Sequence, residues 1–286
     1  MKLIKLLLVA GLFLIPVTGM AQKMSADDVV AKHLESLGPK AARDAVTSRV
    51  VLADVLFTLK GSAKPLTGKA VLLSAGQKNL WGMNFDSNDY PQDKFGYDGK
   101  NVKVAFVRPG IYSTMGGFLR SYKELMREGL LGGTLMSSWA MSNTAKNKPK
   151  LSYDGEKTID GVQTHVLEYM PKGGTDLSIK LYFDAKDFRH LRTEYGHTIA
   201  ARQGTTVDSS AGQSPDRYKV VEDFSNFQKV NGLTVPQGYK LFYSYSGSSS
   251  VGASRGTPRE FEWALQITNI GNNQEFDPSS FDIASN

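Results

Sequence analysis

The 286-residue chain contains no cysteine. No disulfide can staple it and no thiolate can act as nucleophile or soft metal ligand, so its fold must rest on a hydrophobic core. The same absence excludes the acylated N-terminal cysteine by which bacterial lipoproteins are anchored. After residue 21 the chain never accumulates the roughly 18 uninterrupted apolar residues that a membrane-spanning helix needs. Histidines are few. His33, His165, His190 and His197 form no i, i+4 pair and no His-Glu-x-x-His pattern, so no metal ligands are assigned. The one serine-glycine cluster, 246–252, lies in a low-complexity stretch rather than on a strand-to-helix elbow, and no phosphate-binding glycine loop is present. No catalytic residue and no cofactor is expected, and an enzyme is the least favoured reading.

Paired carboxylates are the remaining catalytic candidates. Asp27 and Asp28 fit the first turn of a helix, where the dipole favours acids. Glu222 and Asp223 are neighbours in a strand and point to opposite faces, so they are not expected to share a proton. On a continuous strand, His190, Arg192 and Glu194 would share one solvated face.

What is present begins with an expected secretory leader over residues 1–21. Lys2 and Lys5 precede an apolar run from Leu6 to Val17, and Gly19 and Ala21 stand where signal peptidase requires small residues, which places cleavage after Ala21 and the mature chain in the periplasm. The leader carries two lysines and no acid, so its removal lowers the formal charge from +6 to +4. The cations are scattered rather than striped, which argues against nucleic acid as a partner and leaves transient contact with an anionic membrane surface open.

The mature chain, 22–286, reads as a single domain. A helix is expected from Ser25 to Leu37, capped by Ser25 and Asp28, with Val30, Leu34 and Leu37 on its apolar face before Gly38 and Pro39 stop it. From Thr47 the apolar period changes to two, as in Val51, Val55 and Phe57; in Trp81, Met83 and Phe85; in Leu181 and Phe183; and in Trp263 and Leu265. Asp98-Gly99, Asp154-Gly155, Asp160-Gly161 and Asn231-Gly232 supply the positive φ angles of tight hairpins. The expected fold class is therefore α+β, a single long antiparallel sheet, apolar on one face, that helices must cover.

The exception to the strand pattern is a helical insertion near 116–141. Phe118, Tyr122, Leu125, Met126 and Leu130 follow helical spacing, while 130–141 carries no charge and holds Met136 and Trp139, so it reads as a buried second helix or a flap. Methionines concentrate here, and their flexible side chains suit irregular apolar ligands. Two segments rich in Ser, Gly and Thr, 205–215 and 244–258, read as loops.

Four stretches carry a resemblance: ADDVVAKHLESLG (26–38), LSIKLYFDAKDFRHLRTEY (177–195), VEDFSNFQKVNGLTVPQGY (221–239) and FDPSSFDI (276–283). In this order they resemble the LolA-type superfamily of periplasmic lipoprotein and lipid carriers. The resemblance implies a sheet curved into an unclosed half β-barrel with helices over its concave face, and an acylated lipoprotein or lipid as cargo, passed between a membrane-bound donor and acceptor. It implies an apolar cavity lined by Val51, Val55, Phe57, Trp81, Met83, Phe85, Leu181, Phe183 and Trp263, under a lid of Phe118, Tyr122, Met126, Met136 and Trp139. The alternative is an envelope-stress sensor or protein-interaction module that uses the same fold without lipid transfer.

Overall fold

The computed structural model describes residues 24–201, 215–247 and 258–283, apart from Ala63. The expected leader and most of the two Ser/Gly/Thr loops lie outside these residues.

Helix α1 (Ala26–Leu37) opens with a reciprocal cap, because Ser25 Oγ accepts from the Asp28 amide at 3.1 Å and the Asp28 carboxylate accepts from the Ser25 amide at 3.0 Å. The helix buries Val29, Val30 and His33. It ends at Gly38, whose φ of 136° and close approach to Gly232 leave no room for a Cβ, and a second short helix, α2 (Lys40–Asp44), follows.

Twelve strands form one antiparallel sheet. They are β1 (Ser48–Leu59), β2 (Leu66–Ala75), β3 (Lys78–Phe85), β4 (Gln92–Tyr97), β5 (Val102–Val104), β6 (Lys150–Ile159), β7 (Val162–Met170), β8 (Ser178–Asp184), β9 (His190–Ile199), β10 (Asp216–Val230), β11 (Leu233–Ser246) and β12 (Arg259–Asn272). Their order is β5-β4-β3-β2-β1-β12-β11-β10-β9-β8-β7-β6, so consecutive strands other than β5 and β6 are neighbours and the first strand pairs with the last. Strands β5 and β6 do not meet, which leaves the sheet unclosed.

The sheet curls strongly. Trp81 on β3 and Tyr239 on β11 are four strands apart, about 19 Å along a flat sheet, yet their ring centroids are 5.4 Å apart. Alternation along β1 shows which face is concave, because Val51, Ala53 and Val55 are buried while Leu52, Asp54 and Leu56 are exposed. On the convex side, Leu80 packs with Phe281 and Ile283, which holds the C-terminal segment against the back of β3.

The turns divide into two groups. Asp160-Gly161 and Asn231-Gly232 place both residues at positive φ in two-residue hairpins, as a type I′ turn requires. Asp154-Gly155 does not form a hairpin. It sits inside β6 as a bulge where the register shifts between Tyr153 and Glu156, because a positive φ at glycine serves a bulge as well as a turn.

The expected helix over 118–130 is two helices, α3 (Thr114–Ser121) and α4 (Glu124–Arg127), separated at Tyr122 with φ −119° and ψ 63°. No glycine or proline marks this break, so tertiary packing sets it. Residues 130–141 are neither a regular helix nor an outer flap. Two 3₁₀ turns, Gly133–Leu135 and Ala140–Asn143, thread them through the concave side, with Leu130, Leu135, Ala140 and Met141 fully buried. A last short helix, α5 (Thr144–Asn147), leads into β6.

Candidate functional site

The residues expected to line the concave face project into it from four strands: Val51, Val55 and Phe57 from β1; Trp81, Met83 and Phe85 from β3; Leu181 and Phe183 from β8; and Trp263 from β12. All are buried except Phe57, which is half-buried. Of the expected lid, Phe118, Met126, Met136 and Trp139 are also buried and belong to the same apolar cluster, and Tyr122 is half-buried against it.

Across the middle of the concave face the 130–141 segment that carries Met136 and Trp139 packs directly on the sheet. A Cβ on Gly132 would stand 2.7 Å from the Trp81 ring, and one on Gly133 would stand 2.8 Å from Phe224. The chain fills this part of the half barrel with its own 130–141 segment, a plug that glycine alone lets approach so closely.

The plug is tied to the sheet and to α1 by polar groups: Glu222 and His33, which the sequence reading weighed only for catalysis or metal binding, and Arg49, which it passed over. Glu222 on β10 is fully buried. Its carboxylate accepts from the Gly132 amide at 2.6 Å, the Tyr195 hydroxyl at 2.6 Å and the Tyr239 hydroxyl at 2.7 Å. Burial pushes its pKa up to about 7, with the three donors pulling the other way. Asp223 points outward and pairs with Arg192 at 2.6 Å, so the two neighbours take opposite faces as a strand requires. His33 is fully buried, donates through Nδ1 to the Phe188 carbonyl at 2.9 Å and accepts at Nε2 from the Trp139 indole at 3.0 Å. Its desolvation lowers its pKa to about 4, which keeps it neutral. Arg49, at the start of β1, also reaches inward and donates to the Thr134 carbonyl at 2.7 Å.

His190 corrects the strand-face expectation. A bulge at Leu191 on β9, opposite Tyr182 and Phe183, shifts the β8–β9 register, so His190 turns inward to stack on Trp139 at 4.8 Å while Arg192 and Glu194 turn outward. Among the described residues, no group of three or more His, Asp or Glu side chains is placed to hold a metal.

At one end of the half barrel the concave face is open. A cavity of about 630 Å³ lies between the end of β1, the start of β12 and the loops around 87–90 and 107–114. The structure brings Phe57 and Trp263 together here, with centroids 5.3 Å apart, and adds Phe261, which shares the alternating face of Trp263 but was not assigned to the lining, and Tyr90, which the sequence reading missed. Phe57 lies 4.7 Å from Tyr90 and 6.4 Å from Phe261, so four aromatic rings form one wall. Leu59, Leu66 and Val107 extend the apolar lining, and exposed Ile111 stands at the rim with Lys64, Arg108 and Arg259.

A buried chain of hydrogen bonds fixes this wall. The Trp263 indole donates to the Tyr90 hydroxyl at 3.0 Å, and that hydroxyl donates to Asp93 Oδ2 at 2.7 Å. Asp93 is 1% exposed, and burial raises its pKa to about 6. A signal existed for Asp93, since it shares the phase of Phe95 and Tyr97 on β4 and is a lone acid on an apolar face. Tyr90 offers none, because Asp89-Tyr90-Pro91 reads as an ordinary loop.

No family model and no curated protein matches the chain. Among solved structures, it is similar to a LolA superfamily protein from Nitrosomonas europaea at 13% identity, over 91% of this chain and 98% of that one, with a TM-score of 0.46. A DUF1329 family protein from Desulfovibrio piger is similar at 15% identity, over 90% of this chain and 97% of that one, with a TM-score of 0.46. An outer membrane lipoprotein-sorting type domain from Vibrio parahaemolyticus is similar to the same extent, at 15% identity, 90% and 97% coverage and a TM-score of 0.46.

Proposed function

We propose that the protein is a soluble envelope carrier that takes an acyl chain of a lipoprotein or lipid into the aromatic mouth at the end of β1 and β12. The observation that carries this reading is the mouth itself, a 630 Å³ opening walled by Phe57, Tyr90, Phe261 and Trp263. That volume lies within the usual range for small-ligand sites, roughly 300 to 1,000 Å³. Each methylene removed from water there contributes about 0.8 kcal/mol, so part of one acyl chain supplies useful affinity without any directed polar contact. Lys64 and Arg259 at the rim face the water side, where an acyl ligand keeps its headgroup, and Arg108 there is paired with Asp89 at 3.0 Å.

A partner-binding module that recruits a strand to the free edge is less favoured. The edge strand β6 carries Lys150, Asp154, Glu156 and Lys157 and is interrupted by a bulge, both of which discourage strand addition.

Displacement of a fluorescent fatty-acid probe by unlabelled long-chain fatty acid tests the reading. Phe57→Lys places a charge in the mouth at a half-buried position and is expected to weaken probe binding about tenfold or more while circular dichroism stays unchanged. A folded Phe57→Lys protein that binds the probe as tightly as the parent removes the mouth as the site.

A further inference from the structure

A second cavity, of about 220 Å³, lies at the opposite end of β1, between α2, the start of β11 and the plug. Arg43 and Arg49 both line it. Arg49 is 4% exposed, and its known partners are neutral: Nε donates to Asn272 Oδ1 at 2.8 Å and Nη1 to the Thr134 carbonyl at 2.7 Å. Nη2 has no hydrogen-bond partner among the described residues. Burial alone shifts the guanidinium, pulling its pKa down to about 10, because no acid lies close enough to oppose it.

Arg43 is half-buried and donates through Nε to the Gly38 carbonyl at 3.1 Å, again a neutral acceptor. The one acid on the cavity wall, Asp44, is held by Lys40 on the outer side of α2. Thr134 Oγ1 is buried on the same wall and has no partner. A buried charge normally carries a counter-ion, since leaving it unpaired costs several kcal/mol. Here two guanidiniums and an unpartnered hydroxyl surround a space whose one acid, Asp44, is already paired with Lys40.

From this arrangement we infer that the cavity is a binding site for a phosphate group, carried either by a phospholipid headgroup or by a soluble phosphate. Donors that converge from α2, β1 and the plug suit a tetrahedral oxyanion better than a planar carboxylate, and guanidinium forks bind phosphate oxygens in pairs. The site is separate from the aromatic mouth and does not depend on it. Because Arg49 also holds the plug at Thr134, an anion seated here adds a bond between sheet and plug.

Calorimetric titration of the whole protein with inorganic phosphate and, separately, with dihexanoyl phosphatidylglycerol below its micelle concentration tests the inference. Saturable binding of at least one is expected. Arg43→Gln is expected to weaken it about tenfold or more, the loss of one charge-assisted hydrogen bond, and to leave the circular dichroism spectrum and fatty-acid displacement as in the parent. Binding of inorganic phosphate identifies a soluble source; binding of the phospholipid alone identifies a headgroup. No saturable binding of either up to about 10 mM, or equal affinity in the folded Arg43→Gln protein, overturns the site. Loss of phosphate binding with fatty-acid binding retained separates this site from the carrier reading.

Discussion

The backbone N–H of Gly132 donates to the buried carboxylate of Glu222 at 2.6 Å, so the plug that fills the concave face is tethered to the sheet by a group that titrates near neutrality. The native carboxyl titrates at about 7, above the ordinary value of 4.5, and therefore binds a proton more readily folded than unfolded between those two values. Its contribution to stability is fully present below pH 4.5 and is lost as the pH rises through 7.

Glu222→Gln keeps an acceptor for Gly132 and removes the titration. Chemical denaturation of parent and variant across pH 4 to 8 is expected to show the parent losing stability relative to the variant as pH rises, by on the order of 3 kcal/mol in total. A difference that is flat across this range would show that Glu222 titrates at its ordinary value in the native protein. His33, held neutral with a pKa of about 4, acts with the opposite sign, so the comparison must be between the two proteins rather than read from the parent alone.

Tyr90→Phe removes the hydroxyl that links Trp263 to Asp93. The indole N–H and the buried carboxylate both lose a partner, and the expected destabilisation is about 1 to 3 kcal/mol. Fatty-acid binding should weaken as well, because the Trp263 wall of the mouth is no longer fixed. Equal stability and equal binding in the variant would show that water replaces the hydroxyl at no cost.

Two glycines separate backbone strain from packing. Gly155 has φ 82° with open space around it, whereas Gly132 has φ 84° and a Cβ there would meet the Trp81 ring at 2.7 Å. Gly155→Ala is expected to cost about 1 kcal/mol, the price of a left-handed alanine. Gly132→Ala should cost at least about 1 kcal/mol more through overpacking, measured by urea denaturation. Similar losses at both positions would mean that the plug gives way freely.

The sheet was legible because its period is strict: Val51, Val55 and Phe57 alternate with exposed neighbours, and Asn231-Gly232 and Asp160-Gly161 mark hairpins that the backbone makes. What the sequence hid has two physical causes. Bulges at Asp154-Gly155 and at Leu191 reset the phase, which turned a proposed hairpin into a strand interior and moved His190 from the outer face to the core. The plug has no period at all, since 130–141 is positioned by Glu222, Arg49 and His33 from distant strands and helix α1 rather than by its neighbours. Phe57 and Trp263 could be chosen from alternation, but Tyr90 reaches the same wall from a loop, where no periodicity exists to reveal it.

An acyl chain seated in the aromatic mouth should stay with the protein through purification. Native mass spectrometry of the protein purified without detergent from the envelope fraction of cells that express it, followed by organic extraction, tests this most directly. Discrete added masses that extract as acyl lipid or lipopeptide and are depleted in Phe57→Lys are expected. A clean apo mass that persists after incubation with native membranes would contradict an acyl occupant.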